Sequence, residues 1–416
     1  MTKMTQQFSL YFKSKKIQVD LSENETGYLL SSFEKDSIVN NTESVSSSLV
    51  DIVEEIPFSL RANKVLIIDS LKSGTGRSDD KDISRSLIEP LFQLLEIEFT
   101  LFKTKTARSI EEIAKSLEPV NTTVIFISGD TSITEFINGL GKIQDDFKPV
   151  SISIFPIPAG TGNSFALSLG LANQLSAVAQ LFKSTQLSPL YLYNLKLPQG
   201  SYHLVQNEAK NLINSNMRFI VVFSWAFHAS LVADSDTPNL RKYGLKRFQI
   251  AAQNNLSRVQ EYQGDVIIKS ASGREEIIKG PFAYWLLTPA QKFEPTFEIS
   301  PRGNILENCL YLVAFRTKEE ERKKDNSSSG TGNYIMDIMT EVYDGGKHIE
   351  NPNVIYKKIN KGDCVNLLTK NSKELQQRRF CVDGSIIALP ETNNHEIEIQ
   401  VGDNKEEHGW NLYIIH

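Results

Sequence analysis

The segment Ser128-Gly129-Asp130-Thr131-Ser132-Ile133-Thr134-Glu135-Phe136-Ile137-Asn138-Gly139-Leu140 carries the residues with the clearest chemical potential. It reads as the end of an apolar strand (Val124–Ile127), a tight turn and the start of a helix over 133–140. Unpaired backbone N–H groups at such a helix start favour phosphate. A carboxylate there, Asp130, can take a proton from an alcohol or hold magnesium against phosphates. Glu135 and Asn138 stand three apart and share a helix face. A plainer role competes: Asp130 or Ser132 could simply cap the helix, with Gly129 turning the chain.

A second segment, Pro158-Ala159-Gly160-Thr161-Gly162-Asn163, follows the next apolar run, Ser151–Phe155. Two glycines around a hydroxyl residue let backbone amides approach an anion. A third, Ser73-Gly74-Thr75-Gly76-Arg77, follows Val65–Ile68, and lacks the lysine and frame of a P-loop. Ser329-Gly330-Thr331-Gly332-Asn333 repeats the Gly-Thr-Gly-Asn pattern in a Ser/Gly-rich stretch, Lys318–Asn333, that follows no strand; it is set aside as a flexible loop.

The elements that must position these segments follow from the apolar pattern. Uninterrupted apolar strands alternate with helical stretches (Ile83–Leu95, Ile110–Leu117) across residues 63–190. This predicts an α/β domain with a mostly parallel sheet, its glycine segments opening at the strands' carboxyl ends. Residues 191–416 show strand-like runs at Tyr191–Leu197, Phe219–Ser224, Asp265–Lys269, Phe282–Leu287, Leu310–Phe315 and Cys364–Leu368, broken by one helix over 240–256. A largely antiparallel β domain is expected there. Residues 1–62 read as an extension whose start, Phe8–Lys13, could be a strand, and which is flexible around the Ser/Asn/Thr-rich Asn40–Ser48.

Bulk properties narrow the class. The chain of 416 residues is long enough for two cores, and its net charge of -5 argues against nucleic acid as a partner. No apolar run is long enough to span a bilayer and the first residues are polar, so a cytoplasmic protein with at most peripheral membrane contact is expected. Three dispersed cysteines and six histidines suggest neither a disulfide framework nor a zinc site.

Taken together the motifs resemble the lipid kinases of the diacylglycerol kinase and sphingosine kinase superfamily. Ser128–Leu140 is similar, without gaps, to their Gly-Gly-Asp-Gly-Thr-x-x-Glu-Val-x-Asn-Gly-Leu signature, with the serine start of the sphingosine and ceramide kinases. Pro158–Asn163 resembles the second glycine loop, Ser73–Arg77 the end of the first, and Thr104 falls at a nucleotide-contacting threonine. Trp225-Ala226-Phe227-His228-Ala229 is similar to a sphingosine kinase segment. Asp234, Asp236, Arg241, Gly244 and Arg247 resemble its acidic cluster and two phosphate-binding arginines, and Val382-Asp383-Gly384 its closing Asp-Gly-Glu.

The resemblance implies an ATP- and Mg2+-dependent kinase acting on a lipid hydroxyl, a sphingoid base favoured over diacylglycerol. Asp130 would be the base and a metal ligand. Ser73, Gly74, Gly76, Thr104, Ser128, Gly129, Thr131, Ser132, Glu135, Gly160, Thr161, Gly162, Asn163, Arg241, Arg247 and Asp383 would surround the nucleotide, and Asp234 or Asp236 a lipid amine. For these two acids a solvated acidic turn is an equal alternative, and for the arginines a solvated helix face is the alternative. The pattern departs at Thr131 and Ala226 (glycine in the family), Ser385 (glutamate), and Ser70 and Leu71 (Asn-Pro). Either hydroxyls replace lost contacts or activity is reduced, leaving a nucleotide- or lipid-binding regulator. A kinase of a soluble nucleotide such as NAD is a third reading, disfavoured by the long second domain.

Overall fold

The computed structural model describes residues 6–25, 27–35, 50–71, 81–106, 109–143, 150–244, 246–317, 329–370, 373–391, 394–402 and 406–416. The chain divides into two compact units. The first holds residues 1–160, 169–189 and 406–416, and the second 161–168 and 190–405.

The first unit is built on a parallel sheet. Lys64–Asp69 lies between Thr100–Lys103 and Thr122–Ser128, followed outward by Val150–Pro158 and Trp410–Ile415, all parallel. Thr122–Ser128 is buried along its whole length, as a strand covered on both faces must be. In order of appearance these strands lie 2-1-3-4-5, so the chain reverses direction of travel between Lys64–Asp69 and Thr122–Ser128. Ligands of open α/β sheets bind at the carboxyl ends of the strands flanking such a switch.

Two features of this unit differ from the sequence expectation. The described part of the N-terminal extension is a four-stranded sheet: Gly27–Glu34, Ile17–Asn24, Gln6–Phe12 and Val50–Val53. It docks through Phe12, whose ring meets Phe182 edge-on at 5.3 Å, and Phe182 in turn meets Phe92. The first of these strands in chain order, Gln6–Phe12, agrees with the strand expected at Phe8–Lys13; the other three carry too little apolar pattern to be read without this partner surface. The last strand, Trp410–Ile415, was expected in the β domain. It completes the parallel sheet instead, with Leu412 opposite Ile152.

The second unit is antiparallel, as expected. Among the described residues it has a six-stranded and an eight-stranded sheet, and both contribute to one core. At its centre Trp225, Phe380 and Phe223 stack at 5.7 and 5.6 Å with nearly parallel rings. The expected strand 219–224 is interrupted: Asn216–Phe219 and Phe223–Ala226 belong to different sheets. The expected helix 240–256 is two pieces, Pro238–Arg241 and Lys246–Leu256. A helix at Phe227–Ser235 was not foreseen.

Nor is 318–333 one loop. Residues 318–328 lie outside the described part, but Ser329–Tyr343 is a helix. Gly332, in the second Gly-Thr-Gly-Asn run, lets that helix press on the backbone carbonyl of Leu256, where no Cβ would fit. That glycine serves helix packing, not an anion. No helix among the described residues is long and apolar enough to cross a membrane. Cys309, Cys364 and Cys381 are free thiols.

Candidate active site

Four strand ends of the first unit are tied together by backbone hydrogen bonds. Ser70 N donates to Ile127 O at 3.1 Å, Thr104 N to Asp69 O at 2.9 Å, and Ala159 N to Ser128 O at 3.0 Å. Asp69, Thr104, Ser128 and Gly160 therefore share the carboxyl edge of the sheet at its switch point. Asp130 stands there as the first residue of the helix Asp130–Gly139. Gly129 is the N-cap (φ -94°, ψ 176°) and, having no side chain, adds no cap bond of its own. Gly129, not Asp130 or Ser132, holds the N-cap position, and Asp130 is half-buried.

Thr131 departs from the family glycine without strain. It lies in the first helical turn and not among the residues with positive φ, so a β-branched side chain is conformationally acceptable. Asn138 Nδ2 donates to Thr134 O at 2.9 Å within its own helix. Burial pushes the Glu135 carboxyl up to about 7, with the Glu111 charge on the neighbouring helix adding to the shift. That helix, Ser109–Lys115, comes close because Gly139 has no side chain: a Cβ there would lie 3.0 Å from Glu111 Cα and 3.2 Å from Ala114 Cβ.

The same unit adds residues that the sequence reading did not single out. Asp69 is fully buried at the end of its strand. Asp82 accepts from Lys103 Nζ at 2.7 Å and from Ser84 Oγ at 2.6 Å. Burial alone would raise the Asp82 carboxyl, but these bonds outweigh it and hold it below its ordinary value. No motif marks Asp69 or Asp82; a lone aspartate closing an apolar strand is the only sequence signal. Ser73, Gly74 and Gly76 lie outside the described residues.

In the second unit the Thr161-Gly162-Asn163 part of the second glycine segment precedes a short helix, Ser164–Ser168. A Cβ on Gly162 would meet nothing within 4 Å. Arg247 Nη2 donates to Thr161 Oγ1 at 3.2 Å. Arg247 is 9% exposed, which rules out the solvated helix face considered for it, and burial lowers its pKa. Arg241 is exposed and forks onto Asp236, Nε to Oδ1 at 3.0 Å and Nη2 to Oδ2 at 3.1 Å.

The acids expected to meet a lipid amine are both engaged by arginines. Asp236 holds Arg241. Asp234 Oδ1 accepts from the buried Arg379 Nη1 at 2.6 Å, and its Oδ2 from Asn255 Nδ2 at 2.9 Å. Burial would raise the Asp234 carboxyl, but Arg379, Asn255 and Asn207 outweigh it and lower the pKa. Neither is the solvated acidic turn nor a free carboxylate. Asp383, expected beside the nucleotide, is anchored to backbone amides of its own unit. It is 2% exposed and accepts three backbone N–H groups, from Ile220 (2.8 Å), Val221 (2.9 Å) and Val222 (2.6 Å). A carboxylate spent on three amides holds the turn that separates Asn216–Phe219 from Phe223–Ala226. His228 is packed rather than catalytic: its Nδ1 lies 2.7 Å from Ser224 Oγ, and burial lowers its pKa to about 4.

Comparison with known proteins agrees with this architecture. Residues 64–195 match the diacylglycerol kinase catalytic domain. Sphingoid long-chain bases kinase 1 of Arabidopsis thaliana is 32% identical over 139 residues, 32% of this chain and 18% of that protein. Sphingosine kinase 1 of Homo sapiens is 25% identical over 205 residues, 49% of this chain and 51% of the relative. The chain thus spans about half or less of these relatives' lengths. A solved structure from Bacillus anthracis str. Sterne, attributed to a diacylglycerol kinase, superposes with a TM-score of 0.51 at 17% identity, covering 85% of this chain and 97% of the other. That likeness concerns the fold. By domain match and relatives, residues 64–195 are similar to the catalytic domain of diacylglycerol kinases, and the chain is similar to kinases that are sphingosine and sphingoid-base kinases by name.

Proposed function

We propose that this protein is an ATP-dependent lipid kinase that phosphorylates the primary hydroxyl of a sphingoid long-chain base or a related lipid. The observation that carries the reading is Asp130: a half-buried carboxylate opening a helix at the switch point of a parallel sheet. The relatives named for sphingoid bases support the substrate class.

In this reading the lipid oxygen attacks the γ-phosphorus of ATP. The new O–P bond forms as the bond to the β-phosphate oxygen breaks, ADP leaves, and the hydroxyl proton passes to the Asp130 carboxylate. The backbone amides at the start of helix Asp130–Gly139 and at Gly160–Asn163 receive phosphate oxygens. Thr104, Ser128 and the hydroxyls of Thr131 and Ser132 line the same edge, and Arg241 and Arg247 counter the phosphate charge. Among the described residues no three His, Cys, Asp or Glu side chains gather into a metal cage. Mg2+ is held by one or two carboxylates plus substrate phosphates. Asp130 fits that donor role. Mg2+ supplies neutralisation of phosphate charge. Peripheral contact with a membrane in the cytoplasm would deliver the lipid.

Transfer of labelled γ-phosphate to sphingosine, phytosphingosine, diacylglycerol and ceramide tests this. Label in a sphingoid base, reduced about 100-fold or more by Asp130→Asn, is the expected result. Label in diacylglycerol alone would move the substrate class, and none above the Asp130→Asn control would refute activity. A catalytically weakened, nucleotide-binding regulator is favoured by one observation: Ser385, half-buried, leaves no carboxylate where the family has glutamate. Mg-ATP binding in calorimetry without turnover would select that reading.

A further inference from the structure

The two acids that resemble an amine receptor have a different task in the second unit. Asp236 stands at the C-terminal end of helix Phe227–Ser235, where its own backbone N–H closes on Ala233 O and Asp234 O. Its carboxylate faces two guanidinium groups. Arg241 is gripped at 2.8 to 3.1 Å through Nε and Nη2. Arg247 Nη1 lies 3.9 Å from the same Oδ1. Like charges so close repel, and only a carboxylate between them makes the pairing tolerable.

Arg247 is the unusual member. It is nine-tenths buried, its Nε has no hydrogen-bond partner, and its acid is a long 3.9 Å away. Among the described residues its side chain's close polar contact is Thr161 Oγ1, in the open glycine segment. A buried guanidinium so poorly compensated is costly unless an anion completes it. Next to Asp236, Asp234 binds Arg379 and Asn255 and so ties helix Phe227–Ser235 to Lys246–Leu256, the helix that carries Arg247. The frame around the two arginines is therefore fixed from both sides.

We infer that Asp236 is a positioning residue: a shared carboxylate that aims Arg241 and Arg247 at a polyphosphate and takes no part in recognising a lipid amine. This rests on the kinase reading only in taking polyphosphate as the anion. It makes a prediction whose sign separates it from simple electrostatics. Removing a negative charge beside an anion site strengthens anion binding if that charge acts only through its field. It weakens binding if the charge holds the cations in place.

The test is calorimetric titration of the full chain with sodium tripolyphosphate and with Mg-ATP, for wild type, Asp236→Asn and Asp236→Glu, alongside steady-state kinetics. The inference expects Asp236→Asn to weaken tripolyphosphate and ATP binding about tenfold, the scale of one charge-assisted hydrogen bond. The melting temperature and the lipid KM stay unchanged, and Asp236→Glu recovers part of the loss. Unchanged or tighter polyphosphate binding by Asp236→Asn overturns it, as does a raised lipid KM with polyphosphate affinity intact. Loss of binding that only tracks a fallen melting temperature in both variants also overturns it. A wild-type chain that binds tripolyphosphate without transferring phosphate sinks the kinase reading but leaves the role of Asp236 to the binding data. One that binds neither probe sinks both.

Discussion

Replacing Glu135 by glutamine removes a carboxyl that the fold keeps from ionising normally. Its pKa of about 7 compares with an ordinary 4.5, and burial is the main cause. At about 1.4 kcal/mol per pH unit, the gap corresponds to about 3 kcal/mol. Glu111 contributes less because it is exposed and screened, and partial exposure of Glu135 itself makes 3 kcal/mol an upper bound. The sign follows from proton counting. Between pH 4.5 and 7 the folded chain holds this proton and the unfolded chain does not, so stability falls as pH rises. The penalty is absent below pH 4.5 and complete above about 7. Glutamine cannot titrate and keeps the neutral shape. Glu135→Gln is therefore expected to match wild type near pH 4.5 and to exceed it at pH 8. At about 2–4 °C per kcal/mol the gain is at most about 6–12 °C. Scanning calorimetry of the ligand-free chain across that range measures it. An offset that does not change with pH, or a variant less stable than wild type at pH 8, would refute the reasoning.

Three further changes follow from the same geometry. Ala226 holds φ 62° and ψ -137°, a glycine-like conformation. Ala226→Gly should relieve about 1–3 kcal/mol of strain against about 0.8 kcal/mol for the lost buried methyl and a similar entropy term; a small rise in melting temperature is expected, and a fall would count against it. Asp383→Ala strands three buried N–H groups and should cost at least about 3 kcal/mol, read as a lower unfolding midpoint in urea. Lost nucleotide binding at unchanged stability would instead return Asp383 to the nucleotide. Gly139→Ala drives a Cβ to 3.0 Å from the Glu111 backbone, for a loss of about 1–3 kcal/mol; an unchanged midpoint would mean the two helices separate freely.

Much of this molecule was legible in its residues. The run Thr122–Ser128 is apolar enough to require burial on both faces, and the Gly129-Asp130 turn that follows it has one economical conformation, a helix start at a strand end. Hence the α/β sheet, the antiparallel second unit and the placement of Asp130 could be read before any coordinates, because they depend on local pattern and chain order. What depended on distant partners could not. Gln6–Phe12 could be read in part as a strand, but its pairing with Val50–Val53 and its docking against Phe182 depend on residues far along the chain. Trp410–Ile415 could pair with any apolar strand until the edge beside Val150–Pro158 was left open to it. Asp234, Asp236 and Asp383 look alike in the sequence as acids near a site. Tertiary structure alone gives one to Arg379, one to Arg241 and one to three backbone amides, because a carboxylate's role is set by the donors that surround it and those come from other strands and helices.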